Sequence, residues 1–172
     1  MKRVPVLVAM RGRRVPTLAN RLARRARALL RALRLDDDEL SLLLVSDAVI
    51  HGLNRTWRGK DRPTDVLSFA MLEAAGPGGA RPRAIIGERR PRPRGARLRG
   101  EPERLLGDVV ISVDTARRQA AEYGHSLETE VDRLLVHGVL HQIGYDHERS
   151  AAEARRMFRK ERVLLRGFGT AH

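Results

Sequence analysis

The stretch His137-Gly-Val-Leu-His141-Gln-Ile-Gly144-Tyr-Asp-His147 decides how this chain is read. A helix advances about 100 degrees per residue, so His137 and His141 project from one face, one turn apart and near enough to hold one ion. Gly144 permits a sharp exit from that helix, which can swing His147 back to the same point. Three imidazoles with a vacant fourth position are what a catalytic zinc requires.

The spacing is that of the extended zinc-protease pattern H-E-x-x-H-x-x-G-x-x-H, with one difference. Those proteases carry a Glu after the first His as the general base, whereas this chain has Gly138. A glycine takes no proton, so the residues predict a metal-dependent hydrolase whose substrate is not a peptide bond. The other histidines lack such company. His51 reads as helix surface, His125 as a turn residue before Ser126, and His172 as a terminal residue.

A chain of 172 residues, 42% of them hydrophobic, fits one domain with a proper core. With no cysteine, zinc must be held by nitrogen or oxygen. No apolar run approaches the roughly 18 residues of a membrane span, and the start is too short in apolar residues for a secretory signal. A soluble, cytoplasmic protein is expected, with no membrane association. The net charge of +13 is unevenly spread: residues 1–35 hold eleven Lys or Arg and no acid, and residues 81–99 hold eight Arg against Glu88. A polyanion, RNA or DNA, is the expected partner.

Outward from the histidines, Ser126 is placed to cap their helix, and Val131, Leu134, Leu135 and Gly138 recur at the spacing of a buried face. Ser150-Ala-Ala-Glu153 reads as a capping box for a last helix to about Arg166, with Met157, Leu164 and Leu165 in the core. Upstream, Val4 to Met10, Glu39 to Val45, Asp65 to Met71 and Leu105 to Val113 read as strands. Between them Thr17 is expected to cap a helix to Leu35, Ser46 or Asp47 a helix through Asn54, and Asp114 a helix to about Tyr123. The result is an α/β (α+β) fold, a compact mixed sheet of about four strands packed with about five helices, the metal helix among them. Residues 73–103 dissolve into Gly, Pro and Arg and read as a mobile insertion in a single domain spanning 1–172.

The metal segment, together with Leu53-Asn-Arg-Thr-Trp-Arg-Gly-Lys-Asp-Arg-Pro-Thr-Asp-Val-Leu-Ser-Phe69 and Gly107-Asp-Val-Val-Ile-Ser112, closely resembles the YbeY family of bacterial endoribonucleases, also called rRNA maturation factors. The three motifs fall in order and cover nearly all of the chain outside 73–103. The resemblance implies a compact α/β zinc-dependent ribonuclease that cuts single-stranded RNA in ribosomal RNA processing, at the small-subunit RNA 3′ end, and in ribosome quality control. Carried over by position, the zinc ligands, one ion per chain, are His137, His141 and His147, and the functional arginine is Arg58, beside Trp57. Small-subunit ribosomal proteins and a ribosome-assembly GTPase are implied as partners. Ala70 and Gln142 depart from the family pattern, as does the Arg-rich insertion.

On this reading His137 and Arg58 are the catalytic candidates. Three neutral imidazoles leave zinc its double charge, which lowers the pKa of bound water toward about 7 without the missing Glu. Arg58 can stabilise the charge that builds on a phosphodiester in its transition state, or simply grip the backbone. Asp146 reads as a proton acceptor, a ligand-orienting group or a loop-structuring carboxylate. Asp65 and Asp108 lie in the matching motifs without an assigned role, and Trp57 reads either as a base-stacking residue or as core. Two other classes stay in view: an RNA-binding factor with a structural zinc, and a metalloprotease, against which Gly138 counts heavily. Oligomeric state is left open.

Overall fold

A computed structural model of the chain describes residues 6–12, 15–70 and 104–169. Its elements run β1 (Val6–Arg11), α1 (Pro16–Ala32), β2 (Asp38–Val45), α2 (Asp47–Arg58), β3 (Val66–Ala70), β4 (Arg104–Ser112), α3 (Val113–Tyr123), α4 (Leu127–Gln142) and α5 (Ala151–Gly167). The strands form one sheet in the order β1-β2-β4-β3. β2 is parallel to both β1 and β4, and the edge strand β3 is antiparallel to β4. The mixed sheet with helices expected from the periodicity is present. The insertion at 73–103 lies outside the described residues, as does His172.

β2 explains the layering. All eight of its residues are buried, as a strand covered on both faces requires. Leu40, Leu42 and Leu44 join β4 residues Val109 and Ile111 in the main core, where α1, α3, α4 and α5 pack. Leu43, Val45 and Val110 point the other way and meet Ile50 of α2 and Leu67 of β3.

Three helix starts differ from expectation. α1 begins at Pro16 rather than at a Thr17 cap, because a proline needs no partner for the missing N–H of the first turn. α3 is capped by Ser112, whose hydroxyl accepts from the Thr115 N–H, and not by Asp114. The Asp114 carboxylate instead accepts from the Asp47 N–H of α2, at 3.0 Å. In return the Asp47 carboxylate accepts from the hydroxyls of Ser112 and Thr115. Side-chain hydrogen bonds thus join the two helix N-termini, the Asp114 carboxylate satisfying an orphan N–H of α2 across 67 residues of chain, and Ser46, although it occupies the cap position, makes no side-chain cap. α2 also runs beyond Asn54 to Arg58, where Gly59 closes it with φ +66.

α1 is clamped to α4 by charge. Arg21 forks onto Asp132 at 2.7 and 2.8 Å and Arg25 reaches the same carboxylate at 3.3 Å, with the aspartate side chain fully buried. Two cations of the basic N-terminal run are therefore engaged inside the fold. Further along α4, Glu130 is fully buried and bonded to Arg133 and His125, so it does more than complement the helix dipole.

Candidate metal centre

Ser126 starts the metal helix, accepting from the Thr129 N–H at 3.1 Å. Val131, Leu134, Leu135 and Gly138 are buried on its inner face, as their spacing predicts. Gly138 is there for proximity. A Cβ at that position would lie 2.8 Å from Val109 Cγ1, 3.3 Å from Val109 Cγ2 and 3.5 Å from Val66 Cγ2. The Ser68 hydroxyl of β3 donates to the Gly138 carbonyl at 2.8 Å, tying the edge strand to this turn. The place of the protease's glutamate is thus filled by the sheet, and no side chain can be aimed at a metal from it.

Six residues after Gly138, Gly144 ends α4 with φ +96. Its N–H donates to the His141 carbonyl and the Tyr145 N–H donates to the Leu140 carbonyl, both at 3.1 Å. This paired closure through a left-handed glycine reverses the chain. Asp146 then accepts from the Glu148 N–H at 2.8 Å and pairs with Arg149 at 3.1 Å. Those contacts make it a loop-structuring carboxylate, held below its ordinary range chiefly by the Glu148 N–H. Arg156 of α5 stacks on Tyr145, 5.3 Å from the ring centre, and fixes the returning loop.

The loop delivers His147 to the other two histidines. His137 and His141 ring centres lie 4.8 Å apart, and each is 5.1 Å from that of His147. One ligand atom from each falls within 4.8 Å of the others, and the rings are neither fully buried nor fully exposed. The Nε2 atoms of His137 and His141 are 3.2 Å apart. Nitrogens 2.0–2.1 Å from one tetrahedral ion would sit about 3.3–3.4 Å apart, so the donor set fits a zinc-sized ion. Burial, followed by the neighbouring imidazoles of His137 and His147, pushes the His141 pKa down. Its ring is therefore neutral with a lone pair to give.

One partner was missed in the sequence. Glu161 of α5 is buried, and its carboxylate lies 3.5 Å from His137 Nδ1, the nitrogen turned away from the other histidines. A carboxylate behind an imidazole fixes its tautomer and ring orientation. The available signal was an acid at an inward position of α5 among Met157, Leu164 and Leu165. Arg133, one turn before His137, stands in the same network. Burial opposes its charge, but Glu130, Glu161 and Asp65 outweigh that and raise its pKa.

The other expected residues are more distant in their roles. Arg58 is exposed on the last turn of α2, without a hydrogen-bond or ion-pair partner among the described residues. Trp57 is half-buried and packs edge-on against Phe69 of β3, ring centres 6.3 Å apart. The edge strand is therefore held on one side by the metal helix, through Ser68, and on the other by the helix that ends in Arg58. Asp65 accepts from the Val66 N–H, the Thr64 hydroxyl and Gln119. Asp108 lies on β4 in register with Ser41 and Phe69. His51 bonds to Asp61 on the surface of α2, at 2.7 Å. His125 sits in the turn before α4, paired with Glu130 at 3.1 Å.

A family model described as "Endoribonuclease YbeY" matches residues 12–169. Relatives bearing that name include one from Pelotomaculum thermopropionicum, 45% identical over 94% of this chain and 95% of the relative. One from Anaeromyxobacter is 47% identical over 92% of this chain and 68% of the relative, and one from Aquifex aeolicus 41% identical over 93% and 89%. The solution structure of TM1509 from Thermotoga maritima shares the fold, with a TM-score of 0.57 at 23% identity over 93% of this chain and 86% of that one.

Proposed function

This chain belongs to the YbeY endoribonuclease family, and from that premise we propose that it is a zinc-dependent endoribonuclease acting on single-stranded RNA. The observation that carries the proposal is the convergence of His137, His141 and His147 on one point, with their ligand atoms within 4.8 Å. A zinc held there would supply a Lewis acid for phosphodiester cleavage.

The chain's own residues do the rest. His137 and His141 offer their Nε2 atoms from consecutive turns of α4, and the Gly144 closure brings in His147. The Glu161 carboxylate stands 3.5 Å behind His137 Nδ1, placed to orient that ring once its Nε2 binds a metal. On the family premise, Arg58, exposed in the last turn of α2, supplies the guanidinium that grips the phosphodiester. A guanidinium is always charged, and it stabilises the dispersed charge of the transition state more than the ground state. The net charge of +13 draws a polyanion toward the site.

A structural zinc is disfavoured by the donor count. Structural sites close with four ligands, whereas the cluster has three histidines among the described residues and none of the three is buried. On the family premise the RNA is ribosomal, cut in maturation of the small-subunit RNA 3′ end and in ribosome quality control. Small-subunit ribosomal proteins and an assembly GTPase are the partners, in the cytoplasm; no helix of the described residues is long and apolar enough to cross a membrane. The test is cleavage of a single-stranded oligoribonucleotide by purified protein. Cleavage should disappear in His141→Ala and fall at least about 100-fold in Arg58→Ala, the scale of one lost transition-state donor. Unchanged cleavage by a folded, metal-free His141→Ala would refute the assignment.

A further inference from the structure

α5 buries Met157, Glu161, Leu164 and Leu165 and turns a different chemistry outward. Arg155, Arg159, Arg162 and Arg166 are all exposed and recur at spacings of four, three and four, which places them on one stripe of the helix. None of the four has an acidic partner among the described residues. The stripe runs about 17 Å at 1.5 Å per residue. Beside it stands Phe158, 47% exposed although aromatic side chains are rare in this chain. Its ring centre lies 6.1 Å from that of His147, tilted by 38°. Nothing in the folding of α5 requires an aromatic at a half-exposed position or four unpaired cations on one face.

We propose that the outer face of α5 is a binding track for single-stranded RNA, with the four arginines gripping successive phosphates and Phe158 stacking a base next to the histidine cluster. The ligand's identity rests on the ribonuclease reading, and two observations argue for it here. The stripe is complementary in charge to a phosphate backbone, and its aromatic end is continuous with the metal centre. Single strands are bound by this combination, because every base offers a face to stack while duplex bases do not.

The test uses the zinc-loaded protein and an end-labelled single-stranded oligoribonucleotide, with bound and cut fractions read from the same samples across a salt series. Arg159→Gln with Arg162→Gln should lower the slope of log K against log salt by about 1.4, at about 0.7 per phosphate contact on a single strand. Phe158→Leu keeps an apolar side chain but loses the aromatic face. It should weaken single-strand binding roughly 10-fold, leave the salt slope unchanged and leave weaker duplex binding unaffected. Circular dichroism and zinc content should match the parent protein in both cases. If the parent cuts RNA and both variants bind and cut as it does, the track is refuted while the ribonuclease reading stands, and an acidic protein becomes the better occupant of α5. If the variants weaken binding as predicted but the parent never cuts, the track stands and the enzymatic reading falls. If the parent binds no single-stranded RNA, both are wrong.

Discussion

Replacing Gly138 by Ala should destabilise the protein, although the same exchange in the middle of an exposed helix normally stabilises it. Alanine gains about 1 kcal/mol over glycine from helix propensity alone. At Gly138 the added Cβ meets Val109 Cγ1 at 2.8 Å, about 0.6 Å inside the 3.4 Å at which ordinary contact begins. Val109 is fully buried and cannot swing away, so helix or strand must move, and overpacking of this kind costs about 1–3 kcal/mol. Gly52, inside α2, supplies the control, because its Cβ would meet nothing within 4 Å. We expect Gly52→Ala to raise the melting temperature by about 2–4 °C and Gly138→Ala to lower it by a similar amount, at 2–4 °C per kcal/mol for a chain of this size. Because the turn at Gly138 also carries His137, zinc affinity should fall in Gly138→Ala and not in Gly52→Ala. Thermal unfolding of the two variants with and without zinc makes the comparison. Equal stabilisation by both would refute the close helix–sheet contact that leaves no room for a base at position 138.

Further outcomes follow from the same geometry. Glu161→Gln should weaken zinc binding by about 10- to 100-fold, the usual effect of losing a carboxylate behind a ligating imidazole; competition against a chelating dye measures it, and unchanged affinity would remove Glu161 from the site. Asp132→Ala strands Arg21 and Arg25 and should cost about 3 kcal/mol, the lower end of the range for breaking a buried pair because both arginines are partly exposed. A fall in melting temperature of less than roughly 2 °C would contradict that clamp. Asp47 is opposed by burial, but hydrogen bonds from Ser112, Thr115 and Arg118 prevail and hold its pKa below the ordinary value of 3.8. A carboxylate lowered in the folded state adds stability above its unfolded pKa and loses it as pH falls through the folded one. The difference in urea midpoint between the parent and Asp47→Asn should therefore be full at neutral pH and shrink below about pH 4. A difference independent of pH would show that the carboxylate's charge plays no part in joining α2 to α3.

Much of the metal centre was legible because its determinants are local. His137, His141, Gly144 and His147 lie within a few turns of chain, and helix periodicity with a left-handed glycine is enough to predict that they converge. Gly138 carried two separate messages in the sequence, an absent base and a packing position, and the structure joins them: the base is absent where the sheet needs the space. What was not legible depended on distant chain. Glu161 reaches His137 only because α5 packs on α4, and no spacing rule connects the two residues. Likewise Asp114 looked like a cap by its position, but Asp47 recruits it and leaves Ser112 to cap α3. The strand order β1-β2-β4-β3 is set by long-range pairing that strand periodicity alone does not encode. The basic N-terminal run pointed to a polyanion partner, yet two of its arginines pair with the buried Asp132.

The most direct measurement is a zinc titration of chelator-stripped protein, followed by single-stranded RNA cleavage and bound metal in the same samples. Cleavage should be absent at the start, rise in proportion to zinc and saturate at one ion per chain, with no rise in His141→Ala. Cleavage that persists in stripped protein, or zinc that binds without restoring any, would contradict a catalytic metal at the three histidines.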